Sequence, residues 1–267
     1  METAAEKNLL QRAVSREREA HQFKSEGKIQ EAFIAFDEAA LLYGRSNEHL
    51  KAALCFASAA SCWNIHTGIQ PLRNAATRTH QAAKEAMKAS SYHYARTLFL
   101  EAALLYEREG DFRNYSSCFY ESKRSEAKLW WTLFARGLKQ DRGLPEQGNL
   151  KERVAALGRW LLNNFNFLIW GYGEKPFRTF LVAFFLITLS AAAYSVSGQI
   201  SYHGTLQPIS FLEGLYMSVI TYTTVGFGDY LPLGWTRAFA MLEALSGIFL
   251  APLFLVGLTR RYLRMYR

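Results

Sequence analysis

The sequence predicts an all-α protein in two parts, a cytosolic helical-repeat solenoid followed by a membrane domain with two spans and a re-entrant segment between them. Three observations predict it. Charges are dense through roughly the first half and almost vanish from Phe177 until an arginine-rich end, so a mean hydropathy of -0.08 averages two unlike materials. A template of aromatic and alanine positions recurs in the first half. In the second, two long apolar runs flank a shorter apolar run that opens with its own helix start signal.

The N-terminus, METAAEKN, carries acids and no early apolar stretch, so no secretory leader is expected and membrane entry falls to an internal segment. Cys55, Cys62 and Cys118 are widely spaced and odd in number, which suits buried thiols in a reducing compartment better than disulfides or zinc. His21, His49, His66, His80 and His93 lack metal-ligand spacing. A net charge of +8 comes without any basic-aromatic motif for reading bases, so no nucleic-acid partner is expected. Neither a nucleophile-base-acid set nor a phosphate loop is visible, so no catalytic residue, enzyme activity or cofactor is expected.

Within residues 1–138, breaks at Gly27, Gly68, Pro71 and Gly110 divide a run of helix formers into about six helices, or three hairpins. Phe36-x-x-Ala39-Ala40-x-x-Tyr43 recurs as Phe56-x-x-Ala59-Ala60-x-x-Trp63 and Phe99-x-x-Ala102-Ala103-x-x-Tyr106, offset by 20 and 43 residues. At 3.6 residues per turn the aromatics share a stripe, and the alanine pair lets a neighbouring helix come close. Residues 17–138 thereby resemble tetratricopeptide repeats, most of all the longer, degenerate kind of SNAP-type adaptors. They depart from a strict 34-residue period, and the helix near Arg78–Met87 lacks the aromatics. The resemblance implies an unknown protein or small-molecule ligand.

Residues 139–150, KQDRGLPEQGNL, have the composition of a linker. Residues 151–172 place Val154, Leu157, Leu161, Phe165 and Leu168 on one face, as an amphipathic helix in the membrane interface would, with Trp160 and Trp170 at headgroup depth. The alternative is a last solenoid helix.

Residues 173–267 form the membrane domain, with spans at about 177–198 and 236–259, each long enough to cross ~30 Å of hydrocarbon. Lys175 and Arg178 stand at the start of the first; Arg260, Arg261, Arg264 and Arg267 follow the second; the connection from Gly198 to Thr236 has neither Lys nor Arg. Both termini are therefore expected on the cytoplasmic side of the cell membrane. Ser210-Phe211-Leu212-Glu213 reads as a capping box opening a helix over about 211–223, too short to cross. The chain must then climb out in non-helical form, which is tolerated at membrane depth only where protein or a water-filled path surrounds it.

The returning segment is TYTTVGFGDY, Thr221–Tyr230. If alternate residues take left-handed backbone conformations, successive carbonyls face one side, and Gly226 and Gly228 do this at little cost. Thr224 adds a hydroxyl to that row of oxygens, which suits a desolvated monovalent cation. Thr224-Val225-Gly226-Phe227-Gly228-Asp229 matches the signature of potassium channels, and the span, short helix and span are similar to their two-transmembrane class. The resemblance, from about Trp160 to Arg267, implies a homotetramer in membrane lipid. Its filter residues, Thr224, Val225, Gly226, Phe227 and Gly228, would replace the hydration shell of K⁺.

It further implies that Asp229 rings the outer mouth and that Trp235 and Thr223 support the filter. Gly247 and Pro252 would then let the second span bend. Ile248, Ala251 and Leu255 have the spacing to face either a cavity or lipid. Phe227 lacks the hydroxyl that Tyr supplies in many relatives, and Ile220 stands where some pair a carboxylate with the Asp229 position. Glu243 is the costliest residue in the span; a polar contact with Ser218, Thr221 or Tyr222 would satisfy it, as would a place facing the cavity.

No regular arginine series marks a voltage sensor, and no glycine-rich fingerprint marks a nucleotide site. The expected function is a homotetrameric potassium channel regulated through its repeats. The alternatives are a membrane-anchored adaptor with a weakly conducting pore and a poorly selective cation channel.

Overall fold

The computed structural model describes residues 4–65, 71–139 and 146–265. They divide into two compact units, the division falling between Asn164 and Phe165.

The first unit begins with six helices, each packed on the next: α1 (Ala4–Ser25), α2 (Ile29–Arg45), α3 (His49–Ile65), α4 (Pro71–Lys88), α5 (Tyr92–Arg108) and α6 (Phe112–Arg136). Four of the turns between them share one geometry. Gly27, Asn47, Ser90 and Gly110 have positive φ, and the next amide in each case bonds back across the turn, as Lys28 N does to Phe23 O at 2.9 Å and Asp111 N to Tyr106 O at 2.9 Å. This is the Schellman closure of a helix C-terminus, which satisfies its last carbonyls. The glycines announced two of these turns; Asn47 and Ser90 did not. The break expected at Gly68 lies outside the described residues.

The repeating template forms the core. Phe36, Phe56, Phe99, Tyr43, Tyr106 and all six template alanines are buried, while Trp63 is half-buried. Helix α4, which lacks the template aromatics, is the small-residue member of the stack: Ala75, Ala76, Ala82, Ala83 and Ala86 are fully buried. Cys55, Cys62 and Cys118 are buried free thiols, and burial holds Cys55 and Cys118 up at about 12, far from thiolate formation near neutrality.

Past Gly137, β1 (Leu138–Lys139) pairs antiparallel with β2 (Glu146–Gln147). Two nitrogens of Arg153 donate to Phe134 O at 3.1 and 2.9 Å and take up a carbonyl at the end of α6. Helix α7 (Leu150–Trp170) contains the division between the units, which thus falls inside a helix and not in the polar stretch 139–150. Ala156 is its one buried residue among those described, whereas Val154, Leu161, Phe165 and Leu168 are exposed.

In the second unit, Gly171, Tyr172 and Gly173 all have positive φ and reverse the chain after α7. Helix α8 (Pro176–Ser197) and helix α10 (Thr236–Met265) are both apolar and long enough to cross a membrane, over 176–197 and 236–260. Between them lie β3 (Ile200–Tyr202), β4 (Thr205–Leu206), α9 (Phe211–Tyr222) and β5 (Tyr230–Pro232). The strands form a small antiparallel sheet in the order β4-β3-β5, with Tyr202 opposite Tyr230. An all-helical reading of the sequence omitted this sheet. Its hairpin is marked by His203-Gly204, both at positive φ, in the manner of a two-residue turn.

Candidate functional site

Helix α9 starts on a reciprocal cap. Glu213 N donates to Ser210 Oγ at 3.3 Å, and Ser210 N donates to Glu213 Oε2 at 2.6 Å. Two glycines then let backbones touch. A Cβ on Gly214 would lie 2.6 Å from the carbonyl oxygen of Ala191 in α8. One on Gly247 would lie 1.9 Å from the carbonyl oxygen of Tyr222, the last residue of α9. Gly247 is therefore where α10 meets the end of the short helix.

Beyond Tyr222 the chain leaves the helix in small steps. Thr223 closes it by donating Oγ1 to Val219 O at 2.7 Å. Val225 N and Gly226 N both reach Ile220 O, at 2.9 and 3.1 Å. Thr224, Gly226 and Gly228 have φ of +60°, +50° and +81°, with Val225 and Phe227 between them outside the positive-φ region. For the glycines this conformation costs little; for the β-branched Thr224 it is strained. Every residue from Thr223 to Gly228 is exposed, Phe227 at 71%. Asp229 follows, half-buried, its Oδ1 left without a hydrogen-bond partner among the described residues. Tyr230 stacks on Tyr202 at 4.7 Å between ring centres, so the small sheet holds the end of the segment.

Glu243 of α10 is buried, 5% exposed. Tyr194 donates its hydroxyl to Oε2 at 2.6 Å, Ser218 donates to Oε1, and Ser190 adds a third hydroxyl. Of the partners expected from sequence, Ser218 is present, but Thr221 and Tyr222 are not among those described. The other hydroxyls come from α8 instead, because Ser190 and Tyr194 sit one turn apart on the buried face of that helix. Their i, i+4 spacing within an apolar span was the available signal. The carboxylate thus ties α8, α9 and α10 together.

The remaining expected residues lie along α10. Trp235 precedes it, 51% exposed and edge-on to Phe239 at 6.1 Å. Ile248, Leu255 and Pro252 are exposed, and the helix runs unbroken through Pro252. Among the described residues no group of His, Cys, Asp or Glu could hold a metal ion.

Residues 177–264 match the model of a family described as ion channel. The match begins at the second residue of α8 and ends one residue short of the end of α10, and it supports an ion channel in the second unit. No curated protein and no solved structure matches the chain.

Proposed function

We propose that four copies of this chain form a potassium-selective channel that passes K⁺ passively across the cell membrane, with both termini cytoplasmic and the repeat unit biasing the gate. The observation that carries the reading is the alternation of positive φ at Thr224, Gly226 and Gly228. Alternation turns successive carbonyls toward one side, and a row of oxygens with no competing donor replaces the water of a monovalent cation. One chain provides a sector of each oxygen ring, so the site is complete only around an axis.

Two further features favour assembly. A groove of about 690 Å³ runs beside the segment, lined by Thr224, Gly226 and Gly228 together with Met217, Ala240 and Ala244. A second copy would fill it with apolar surface. Among the described residues the buried Oδ1 of Asp229 has no partner, and a neighbouring copy would supply the donor.

In this reading Thr224, Val225, Gly226, Phe227 and Gly228 bind K⁺. Asp229 concentrates cations at the outer mouth, and Trp235 and Thr223 brace the filter. Gly247 and Pro252 give α10 its bending points, with Ile248 and Leu255 at the inner mouth. Since Gly247 rests on the Tyr222 carbonyl, a bend there moves the support two residues ahead of the filter. Lipid covers the exposed apolar faces of α8 and α10.

Reconstitution in liposomes tests the proposal through the reversal potential under opposed K⁺ and Na⁺ gradients. A reversal near the K⁺ equilibrium value is expected. A value near zero would mean a poorly selective cation pore, and silence under every condition a membrane-anchored adaptor.

A further inference from the structure

We infer that the first unit carries a binding site for a small organic anion with a flat apolar body, in the cleft that α2, α4 and α6 form over α3 and α5. The site belongs to the first unit alone and stands whether or not the second conducts K⁺.

The cleft has a volume of about 670 Å³, within the range of pockets that enclose a small ligand. Its apolar lining joins the rings of Phe56 from α3, Phe99 from α5 and His80 from α4 with the aliphatic Ala40, Leu41 and Met87. His80 packs edge-on to Phe99 at 5.8 Å and to Tyr106 at 6.2 Å. Burial pushes it down to about 4, so at neutral pH it is an uncharged ring and part of the apolar surface. A flat apolar body gains most from such a surface.

The charges at the cleft are not balanced. Glu85 already has two partners: its Oε2 meets His49 Nδ1 at 2.7 Å and its Oε1 meets Lys88 Nζ at 2.7 Å. Glu121 is met by Arg124 at 3.3 Å. Arg45 and Lys84 line the same cleft and form no ion pair among the described residues. Both carboxylates are thus committed and two cations are not, which selects an anion over a cation. An Arg fork and a Lys ammonium together favour a carboxylate, sulfonate or phosphate. Gln81 and Ser117 add uncharged hydrogen-bonding groups for orientation.

The test uses the full chain in lipid nanodiscs, with empty nanodiscs subtracted, and three soluble probes on the same ring system: naphthalene-1-sulfonate, neutral naphthalene-1-methanol and cationic 1-naphthylmethylammonium. Calorimetry should show one sulfonate site per chain, binding at least about tenfold weaker for the alcohol, and none for the cation. Arg45→Gln with Lys84→Gln should bring the sulfonate down to the alcohol's level; both residues are exposed, so the fold has little to lose. Ser117→Trp, which fills the cleft, should abolish both and serves if the double variant fails to fold. Equal binding of sulfonate and alcohol would overturn the proposal, as would no saturable sulfonate binding. Binding of an acidic decapeptide that the sulfonate cannot displace would also overturn it, in favour of a peptide groove. Since none of these readouts is an ion flux, failure here leaves the reversal-potential result untouched.

Discussion

The two units solve burial in opposite ways. In the first, the recurring aromatics and alanines face one another across consecutive helices and are covered within one chain, from Phe36 in α2 to Tyr106 in α5. In the second, the buried cluster is small, around Tyr194, Ile200, Ile209, Met217 and Ala240, while Phe184, Phe185, Leu242 and Phe249 stand exposed. Its most unusual backbone, Thr224–Gly228, is exposed as well. A repeat is stable through its neighbours in sequence, whereas a unit with spans long and apolar enough to cross a membrane leaves its apolar faces for lipid to cover.

Gly247→Ala should destabilise the second unit most. The new methyl meets a backbone oxygen and not a flexible side chain, so α10 must move from α9. A loss of about 3 kcal/mol is expected, at the upper end for overpacking, read as an earlier thermal unfolding of the second unit. Gly226→Ala probes the opposite case. Nothing lies within 4 Å of a Cβ there, so the cost is the backbone strain alone, about 1–2 kcal/mol. If the carbonyl row binds K⁺, this variant should lose K⁺ over Na⁺ discrimination in liposomes while its helical content stays intact. Tyr194→Phe removes one donor from Glu243 and should cost about 1–3 kcal/mol, because the acceptor is a carboxylate. Unchanged stability in Tyr194→Phe would show that Glu243 does not tie α8 to α10.

What the sequence made legible follows the same division. Apolar runs, the capping box at Ser210 and the aromatic-alanine template each depend on residues close in sequence, and each is found where the pattern placed it. Alternation in the segment after α9 was legible at Gly226 and Gly228, since glycine marks left-handed backbone, but Thr224 carries no such mark. Asn47 and Ser90 stayed hidden in the same way: Asn tolerates positive φ and Ser gives little sign of it. The partners of Glu243 were half legible, because Ser218 lies on the adjacent element whereas Tyr194 is 49 residues away. The pairing of Tyr202 with Tyr230 spans the whole of α9, and no local periodicity reports such a contact.

Smaller effects are expected in the self-contained first unit. Ser90→Gly should stabilise it, by about 1 kcal/mol, because glycine takes the φ of +57° without the penalty that a Cβ imposes. The four turns share one geometry, so Asn47→Gly should act in the same direction and by less.

The last effect is one of pH and is felt only in acid. His80 sits at about 4 in the folded chain because burial disfavours its charged form, with Lys84 adding to the same direction. Unfolded, it would titrate near its ordinary value of about 6.5. Between those two values the unfolded chain binds a proton that the folded chain refuses. The contribution of His80 is therefore fully present above pH about 6.5 and falls away as the pH drops toward 4. His80→Phe keeps a ring against Phe99 and Tyr106 but has no proton to bind. Unfolding midpoints of the two proteins should stay parallel above pH about 6.5 and diverge below it, with the variant the more acid-resistant. Parallel midpoints down to pH 4 would mean that His80 is as open to water when folded as when unfolded, and that the aromatic lining of the α2–α4–α6 cleft is charged wherever the medium is acid.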